Sequence, residues 1–228
     1  MNIYVGYGRY NENHQATGGL PGDQLQTGTP NYNGEVALAT LDSFLEESPN
    51  HTATVYRIAD AKLAAKIGAG IVKGCNNKYI GYDENNRNSV LAYGVFSGKN
   101  GKPVECDDTS LARVVLKYGI DIDLGDFDRN SVRDVLENSK LFLDPIGYTP
   151  GTQLYIGDVL VCDGSNRVGI VGEGEDRPIP HPTPGGTSDY NDLDHKPSVN
   201  GKTLMGDSSL SSLGIVTPKV VDSKLIFS

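Results

Sequence analysis

The sequence predicts an α+β fold, in which helices pack on a small antiparallel sheet and an extended C-terminal arm follows. Apolar residues recur at helical spacing through the middle of the chain. Two runs rich in β-branched residues then flank a tight turn, which indicates a hairpin. Beyond the hairpin, Pro, Gly, Ser and Asp dominate the sequence. A segment of this composition buries too little apolar surface to offset the entropy that it loses on ordering.

The helices are predicted from apolar spacing and from capping residues. The first covers 60–77, where Asp60 is a good N-cap and the apolar residues from Leu63 to Val72 share one face. A short helix is expected over 88–96. These helices would supply much of the core that faces the sheet.

Two further helices are predicted in the second half of the chain. The stretch "DDTSLARVVLKYGI" (107–120) starts with N-cap residues and continues with an apolar face that includes Tyr118. Gly119 is expected just after its last turn, where a left-handed residue ends many helices. The last helix is predicted over 130–141.

The strands are predicted around the helices. The segment 152–174 is typical of a hairpin that turns at 163–166. Six of its side chains are expected to pack on the helices: Val159, Leu160, Val161, Val168, Ile170 and Val171. A short strand is expected over 53–58, and 35–45 fits a strand or a short helix. Residues 1–34 carry repeated turn signals and are expected to form a structured loop region.

Charge and cysteine content exclude several classes of protein. The formal net charge of −9 argues against a nucleic-acid binder, which needs a basic patch for phosphates. Cys75, Cys106 and Cys162 form neither a disulfide framework nor a zinc site, and 121–130 lacks the ligand order of an EF-hand. We therefore expect no metal and no cofactor.

The sequence shows no targeting or membrane segment. The first residues lack a charged and apolar leader, so we expect synthesis in the cytoplasm without a signal peptide. No apolar run is long enough for a membrane span.

Four motifs occur in one order and together carry a resemblance to a known family. They are "GDQ…GEV" (22–24 and 34–36), "CNNKYIGYDENNRNSV" (75–90), "ECDDTSLARVVLKYGI" (105–120) and "IGDVLVCDGSNRVGIV" (156–171). In this order they resemble phage-encoded peptidoglycan hydrolases of the NlpC-like cysteine peptidase superfamily. The resemblance implies a papain-like, NlpC-type domain over 1–172, followed by an arm over 173–228 with a terminal β-segment.

The chain departs from the family at the two positions that carry the chemistry. The alignment of motifs puts Asp108 where the family has its nucleophilic Cys, and Arg167 where it has its His. The "GDQ…GEV" motif is also interrupted by the insertion 25–32. An aspartate cannot form the thioester of the family reaction, and an arginine stays protonated and cannot act as a general base. We therefore expect no catalytic residue, and an Asp108–Arg167 salt bridge across the former cleft.

Three functions remain open at this stage. The first is a catalytically inactive relative of phage cell-wall hydrolases, a pseudoenzyme that serves as a structural or interaction component of the virion, in the tail or another host-facing part. Its partners would be other virion subunits, contacted through 173–228. The second is an active endopeptidase or amidase with a relocated nucleophile, Cys106, and a histidine such as His181 from the arm. The third is a module that binds host peptidoglycan.

Overall fold

The structure is a computed structural model that describes residues 2–46, 48–98 and 100–178, and beyond them only the backbone of four short strands. The chain divides into two compact units, residues 1–178 and 179–228.

The described part of the first unit contains four α-helices and eight strands. The helices are α1 (Leu41–Leu45), α2 (Ala61–Cys75), α3 (Asp108–Ile120) and α4 (Val132–Asn138). The strands are β1 (Tyr4–Gly8), β2 (Val36–Thr40), β3 (Ala53–Tyr56), β4 (Ile80–Tyr82), β5 (Val104–Cys106), β6 (Ile146–Gly147), β7 (Val159–Cys162) and β8 (Val168–Glu173). The predicted α+β class is confirmed.

Six of the strands form one antiparallel sheet in the order β2-β1-β8-β7-β3-β6. Helices α2 and α3 lie together on one face of this sheet and enclose the larger core. A smaller core, which includes Phe44 and Leu45 of α1, covers the other face. The sheet is therefore buried on both sides, which explains why its strands are almost continuously apolar.

The hairpin β7–β8 turns where the sequence predicts it, but its side chains divide between the two cores. Val159 and Val161 face the helices, whereas Leu160 and Val171 belong to the smaller core on the opposite face. The expectation that all six apolar side chains pack on the helices is therefore wrong for these two. Successive side chains of a strand point to opposite faces, and both faces are covered here.

The N-terminal region differs most from its prediction. Instead of a loop throughout 1–34, the chain forms β1, which pairs with β2 and with β8 inside the sheet. Its sequence "YVGYG" looks weak as a strand because glycine packs poorly in one. The structure gives the reason for Gly6, since a Cβ there would lie 2.2 Å from Cγ1 of Ile71 in α2. Close approach of helix and sheet requires the glycine.

Residues 35–45 combine the two structures that the sequence allowed. Strand β2 runs directly into α1, and Thr40 caps the helix by accepting a hydrogen bond from the Ser43 amide (3.3 Å). The helix expected over 88–96 is instead a pair of 3-10 segments, Glu84–Ala92 and Gly94–Phe96. The first begins at the Asp83 cap, where the side chain accepts from the amide two residues on.

Helix α3 also ends later than the sequence predicts. It continues through Gly119 to Ile120, and Asp121 takes the left-handed conformation that ends it (φ 58°). Gly119 is needed for packing rather than for the turn, because α2 passes against it at Ile67. Tyr118 was predicted on the inward face and is exposed.

A separate parallel pair, β4 and β5, positions the start of α3. Tyr82 and Cys106 are register partners in this pair, and one residue after Cys106 the chain enters the helix. The N-terminus of α3 therefore emerges beside β4 and faces the start of β8.

In the second unit the described backbone forms two antiparallel pairs. They are β9 (Ser198–Val199) with β10 (Lys202–Thr203), and β11 (Pro218–Val221) with β12 (Lys224–Phe227). The predicted terminal β-segment is thus a pair of strands. The sequence predicts flexibility over 173–212, and from residue 179 on this stretch lies, apart from β9 and β10, outside the described residues.

Candidate functional site

The N-terminus of α3 is closed by a reciprocal cap. The Asp107 carboxylate accepts a hydrogen bond from the Ser110 amide (2.6 Å), and the Ser110 hydroxyl accepts one from the Asp107 amide (3.0 Å). This capping box satisfies helix amides that have no partner within the helix. It also fixes Asp108 as the first residue of the helix, in the position that the resemblance assigns to a nucleophile.

Asp108 lies at the centre of a buried ion pair. Its side chain is completely buried, and its Oδ1 accepts hydrogen bonds from Arg129 Nη2 (2.8 Å) and Nε (3.1 Å). Its Oδ2 accepts from the Val168 amide at the start of β8 (2.8 Å). Both oxygens are therefore engaged, Oδ1 by Arg129 and Oδ2 by the Val168 amide and, at a longer distance, by Arg129 Nε (3.3 Å).

Burial and charge act in opposite directions on this pair. Burial raises the pKa of Asp108, while the Arg129 guanidinium and the Val168 amide lower it. Burial lowers the pKa of Arg129, but the Asp108 charge and hydrogen bonds more than compensate and hold it above its ordinary value. The geometry, with charged hydrogen bonds to both oxygens, is that of an ionised pair.

The predicted partner of Asp108 is therefore replaced. Arg129, from the turn before α4, occupies the place expected for Arg167. Arg167 is nearly buried, and its guanidinium carbon lies 5.4 Å from the centre of the Tyr7 ring. The two positions singled out by the resemblance are still neighbours, because the amide that bonds Asp108 belongs to the residue after Arg167.

A second arginine ties the helix cap to the surrounding loops. Arg87 Nε lies 3.0 Å from Asp107 Oδ2, and its Nη2 donates to the Thr109 hydroxyl (3.0 Å) and to the Phe127 carbonyl (2.6 Å). The Thr109 hydroxyl in turn donates to the Asp107 carboxylate (3.0 Å). The first turn of α3 is thus surrounded by charged hydrogen bonds.

The beginning of the next segment completes the network. The buried Tyr82 donates its hydroxyl proton to Glu84 (2.9 Å), whose Oε1 lies 3.8 Å from Nη2 of Arg129. Burial, and then the nearby negative charges of Asp108 and Glu84, raise the pKa of Tyr82, so that it stays a neutral donor. The site resembles an organised ionic contact more than an open cleft.

The cysteines are all buried. Cys106 lies in β5, before the helix, and its thiol donates to the Gly81 carbonyl (3.4 Å). Burial raises the pKa of Cys106 well above its ordinary value, and burial likewise raises that of Cys75. Cys162 is enclosed in the smaller core. A buried, protonated thiol is a poor nucleophile.

The two described histidines lie in loops, as the sequence indicates. His14 packs against the Tyr10 ring, and His51 ends a 3-10 turn; both have positive φ. His181 and His195 lie outside the described residues, so that the pairing of Cys106 with a histidine of the arm stays a prediction.

The interrupted "GDQ…GEV" motif is reassembled in three dimensions. Asp23 Oδ1 accepts from the Glu35 amide (3.0 Å), and Glu35 accepts from the Gln24 amide (3.0 Å) and, with its other oxygen, from the Tyr82 amide (2.9 Å). Glu105 accepts from the Gly22 amide (2.7 Å). The insertion 25–32 therefore leaves the motif intact.

Sequence reasoning did not predict this buried carboxylate cluster. Glu35 and Glu105 are almost inaccessible, and burial raises the pKa of each to about 7. The signal available was the match of both motif halves to the family, which implied that they meet. The two carboxylates accept hydrogen bonds from backbone amides and so fix the N-terminal loop, which is rich in turns.

The described residues contain neither a metal-binding cluster nor a membrane-spanning helix. Among them, no group of three or more His, Cys, Asp or Glu side chains is arranged to hold a metal ion. In the acidic stretch 121–130, Asp123 forms ion pairs with Arg113 and Lys117. Asp128 accepts a hydrogen bond from the Ser131 amide, just before α4. In the same part of the chain no helix is both long and apolar enough to cross a membrane.

Comparison with known proteins identifies the family. No curated protein and no solved structure matches the chain. A family model described as an endolysin-like domain matches residues 5–176, which include all four helices, the Asp108 site and the six-stranded sheet except Tyr4 at the start of β1. By this match, the chain belongs to the endolysin-like domain family.

Proposed function

We propose that this protein is a catalytically inactive, NlpC-type relative of phage cell-wall hydrolases that serves as a structural or interaction component of the virion. The observation that carries the proposal is the buried Asp108–Arg129 ion pair at the position of the family nucleophile. Membership of an endolysin-like family supports a cell-wall connection.

The chemistry at this position supports the loss of the family reaction. Acyl transfer needs a thiolate with access to substrate and a base that can accept its proton. Asp108 is inaccessible and both its oxygens are engaged, by Arg129 and by the amide of Val168. Arg167 stands in place of the base, and a guanidinium offers only hydrogen-bond donors and no acceptor for the proton.

A relocated nucleophile finds little support. Cys106 lies one residue ahead of the helix cap, on a strand, and its thiol is enclosed by protein. At the helix N-terminus, whose amides can lower a thiol pKa, the Ser110 amide donates to Asp107 instead. Hydrolysis through Cys106 would require this buried thiol to become accessible to substrate.

The family of the chain and the composition of its C-terminal segment support the proposed virion role. Residues 173–228 carry many Pro, Gly and Ser residues and a terminal β-segment, which suits a segment that orders on neighbouring subunits by strand addition or wrapping. A host-facing part, such as the tail, agrees with descent from an enzyme that acts on cell walls. Detection of the chain in purified particles by mass spectrometry tests this part, and its absence from them would contradict it.

The enzymatic part is tested by incubation with peptidoglycan. We expect the folded protein to release no muropeptides from walls of Gram-positive or Gram-negative hosts, as measured by mass spectrometry beside an active hydrolase. Cys106→Ala is run in parallel, with Cys162→Ala as a matched buried-cysteine control. Release that Cys106→Ala abolishes and Cys162→Ala preserves would establish the relocated nucleophile instead. Wall binding without release would favour the binding module.

A further inference from the structure

A cavity of about 310 Å³ opens between α3 and the two 3-10 segments. Its size is at the lower end of the range for small-molecule sites, roughly 300–1,000 Å³. The lining residue nearest to Asp108 along α3 is Arg113, five residues and so about 7.5 Å further along the helix axis. Neither Asp108 nor Arg129 lines the cavity, which is therefore distinct from the ion pair at the helix N-terminus.

Three exposed aromatic residues line this cavity. Tyr93, Phe96 and Tyr118 are 47%, 36% and 38% exposed. The rings of Phe96 and Tyr118 meet edge to face with their centres 5.6 Å apart. Single exposed apolar residues are ordinary, but a group of aromatic rings around a concavity indicates a binding surface.

The rings are held in place before any ligand arrives. A Cβ on Gly70 of α2 would lie 2.7 Å from the Tyr118 ring, so that this ring packs directly on the helix backbone. The Tyr93 hydroxyl accepts a hydrogen bond from Asn100 (2.7 Å), and Lys73 Nζ lies 4.5 Å from the centre of the Phe96 ring. Such pre-organisation lowers the entropy that binding costs.

Charged groups form one rim of the cavity. Asp123 accepts from Arg113 Nε (2.8 Å) and lies 3.3 Å from Lys117 Nζ. The hydrogen bond from Arg113 lowers the pKa of Asp123 to about 2, so that it remains an ionised acceptor. The Lys117 side chain is 57% exposed, and its ammonium has three donors to share. The rim thus offers a half-exposed cation, held on one side by Asp123, in a chain of net charge −9.

We propose that this cavity binds a hexopyranose ring that carries a carboxylate, as in an acidic wall glycan. The aromatic faces are electron-rich and suit the C–H face of a sugar ring. Lys117, which contacts Asp123 through its ammonium, has further N–H donors that can pair with the carboxylate of the sugar. A ligand with one apolar face and a polar edge fits this lining better than an aliphatic side chain of a protein partner. The choice of a wall glycan as its source rests on the proposed function.

The test is saturation-transfer NMR on the full chain with two disaccharides. One is N-acetylglucosaminyl-N-acetylmuramic acid, which carries a carboxylate, and the other is di-N-acetylchitobiose, which is uncharged. We expect both to receive saturation and the charged one to bind more tightly. Tyr93→Ala should weaken both by about fivefold or more, and Lys117→Gln should weaken only the charged sugar.

Tyr32→Ala is the matched control, because Tyr32 is also an exposed tyrosine (41%) but lines a different cavity, beside Tyr4. It should bind like the unchanged protein, and circular dichroism should show all variants folded. Absence of saturation transfer at about 10 mM sugar would overturn the proposal, because this concentration lies above the dissociation constants of weak sugar-binding sites. So would unchanged affinity in folded Tyr93→Ala. Release of muropeptides would refute catalytic inactivity and leave this site standing.

Discussion

At the scale of single residues, Asp108 shows how a charge can be kept inside a protein. Removing a carboxylate from water is costly, and only charged hydrogen bonds of good geometry compensate for it. Arg129 and the Val168 amide supply them, from the turn before α4 and from β8. One side chain thereby links three elements that are far apart in the sequence.

Asp108→Ala is expected to destabilise the fold by about 2–4 kcal/mol, because it leaves the Arg129 cation and the buried Val168 amide without their acceptor. Arg129 is partly exposed and can reach water, which keeps the loss below that of a fully buried pair. Urea denaturation measures the change. Asp126→Ala is the control, since Asp126 is 64% exposed and only at the edge of the network; its effect should stay within about 0.5 kcal/mol. Equal losses in the two variants would mean that the ion pair contributes little.

At the scale of elements, the contact between α2 and α3 organises the larger core. It is built on glycines that allow the helix backbones to approach closely. At Gly119 a Cβ would lie 2.4 Å from Cγ1 of Ile67 and 3.0 Å from its amide nitrogen. At Gly74 the nearest atom, on Leu111, would be at an ordinary 3.4 Å. The two glycines share a helical setting and differ in the space around them.

Gly119→Ala should therefore destabilise the protein by about 1–3 kcal/mol, even though alanine favours a helix, because the backbone of α2 cannot yield easily. Gly74→Ala should be neutral or stabilise by up to about 1 kcal/mol, since only the helix preference changes. Thermal or urea unfolding of both variants compares them directly. A Gly119→Ala protein as stable as Gly74→Ala would show that the two helices do not pack this closely.

At the scale of the whole molecule, the carboxylates of Glu35 and Glu105 join the N-terminal loop to β4 and β5. Burial raises the pKa of both groups from 4.5 to about 7. The folded state therefore binds protons more tightly than the unfolded chain does. The stability that these two groups contribute is therefore fully present below about pH 4.5 and is lost as the pH rises through about 7.

Glu105→Gln should remove much of this pH dependence. Its Oε1 acceptor for the Gly22 amide is kept, and its other oxygen has no hydrogen-bond partner to lose. The unchanged protein should lose roughly 2–3 kcal/mol more than the variant between pH 4.5 and 7, since one pKa unit corresponds to about 1.4 kcal/mol. Urea unfolding across this range measures the difference, with the exposed Glu46→Gln as control. Parallel pH profiles for the protein and Glu105→Gln would exclude Glu105 as the cause.

The elements with local signals were predictable from the sequence. Helix α2 repeats apolar residues at helical spacing behind the Asp60 cap, and the hairpin β7–β8 has β-branched runs around a turn. Strand β1 carries no such signal. Its glycine makes sense only when Ile71 of a helix remote in sequence is packed against it.

The candidate site divides in the same way. The sequence by itself determined that an aspartate begins α3, because the capping residues are local, and its motifs indicated that the start of β8 lies nearby. Only the tertiary structure decided which cation neutralises that aspartate. Arg129 and Arg167 carry the same charge, and the choice between them depends on where the turn before α4 brings a guanidinium within hydrogen-bond distance of the buried carboxylate.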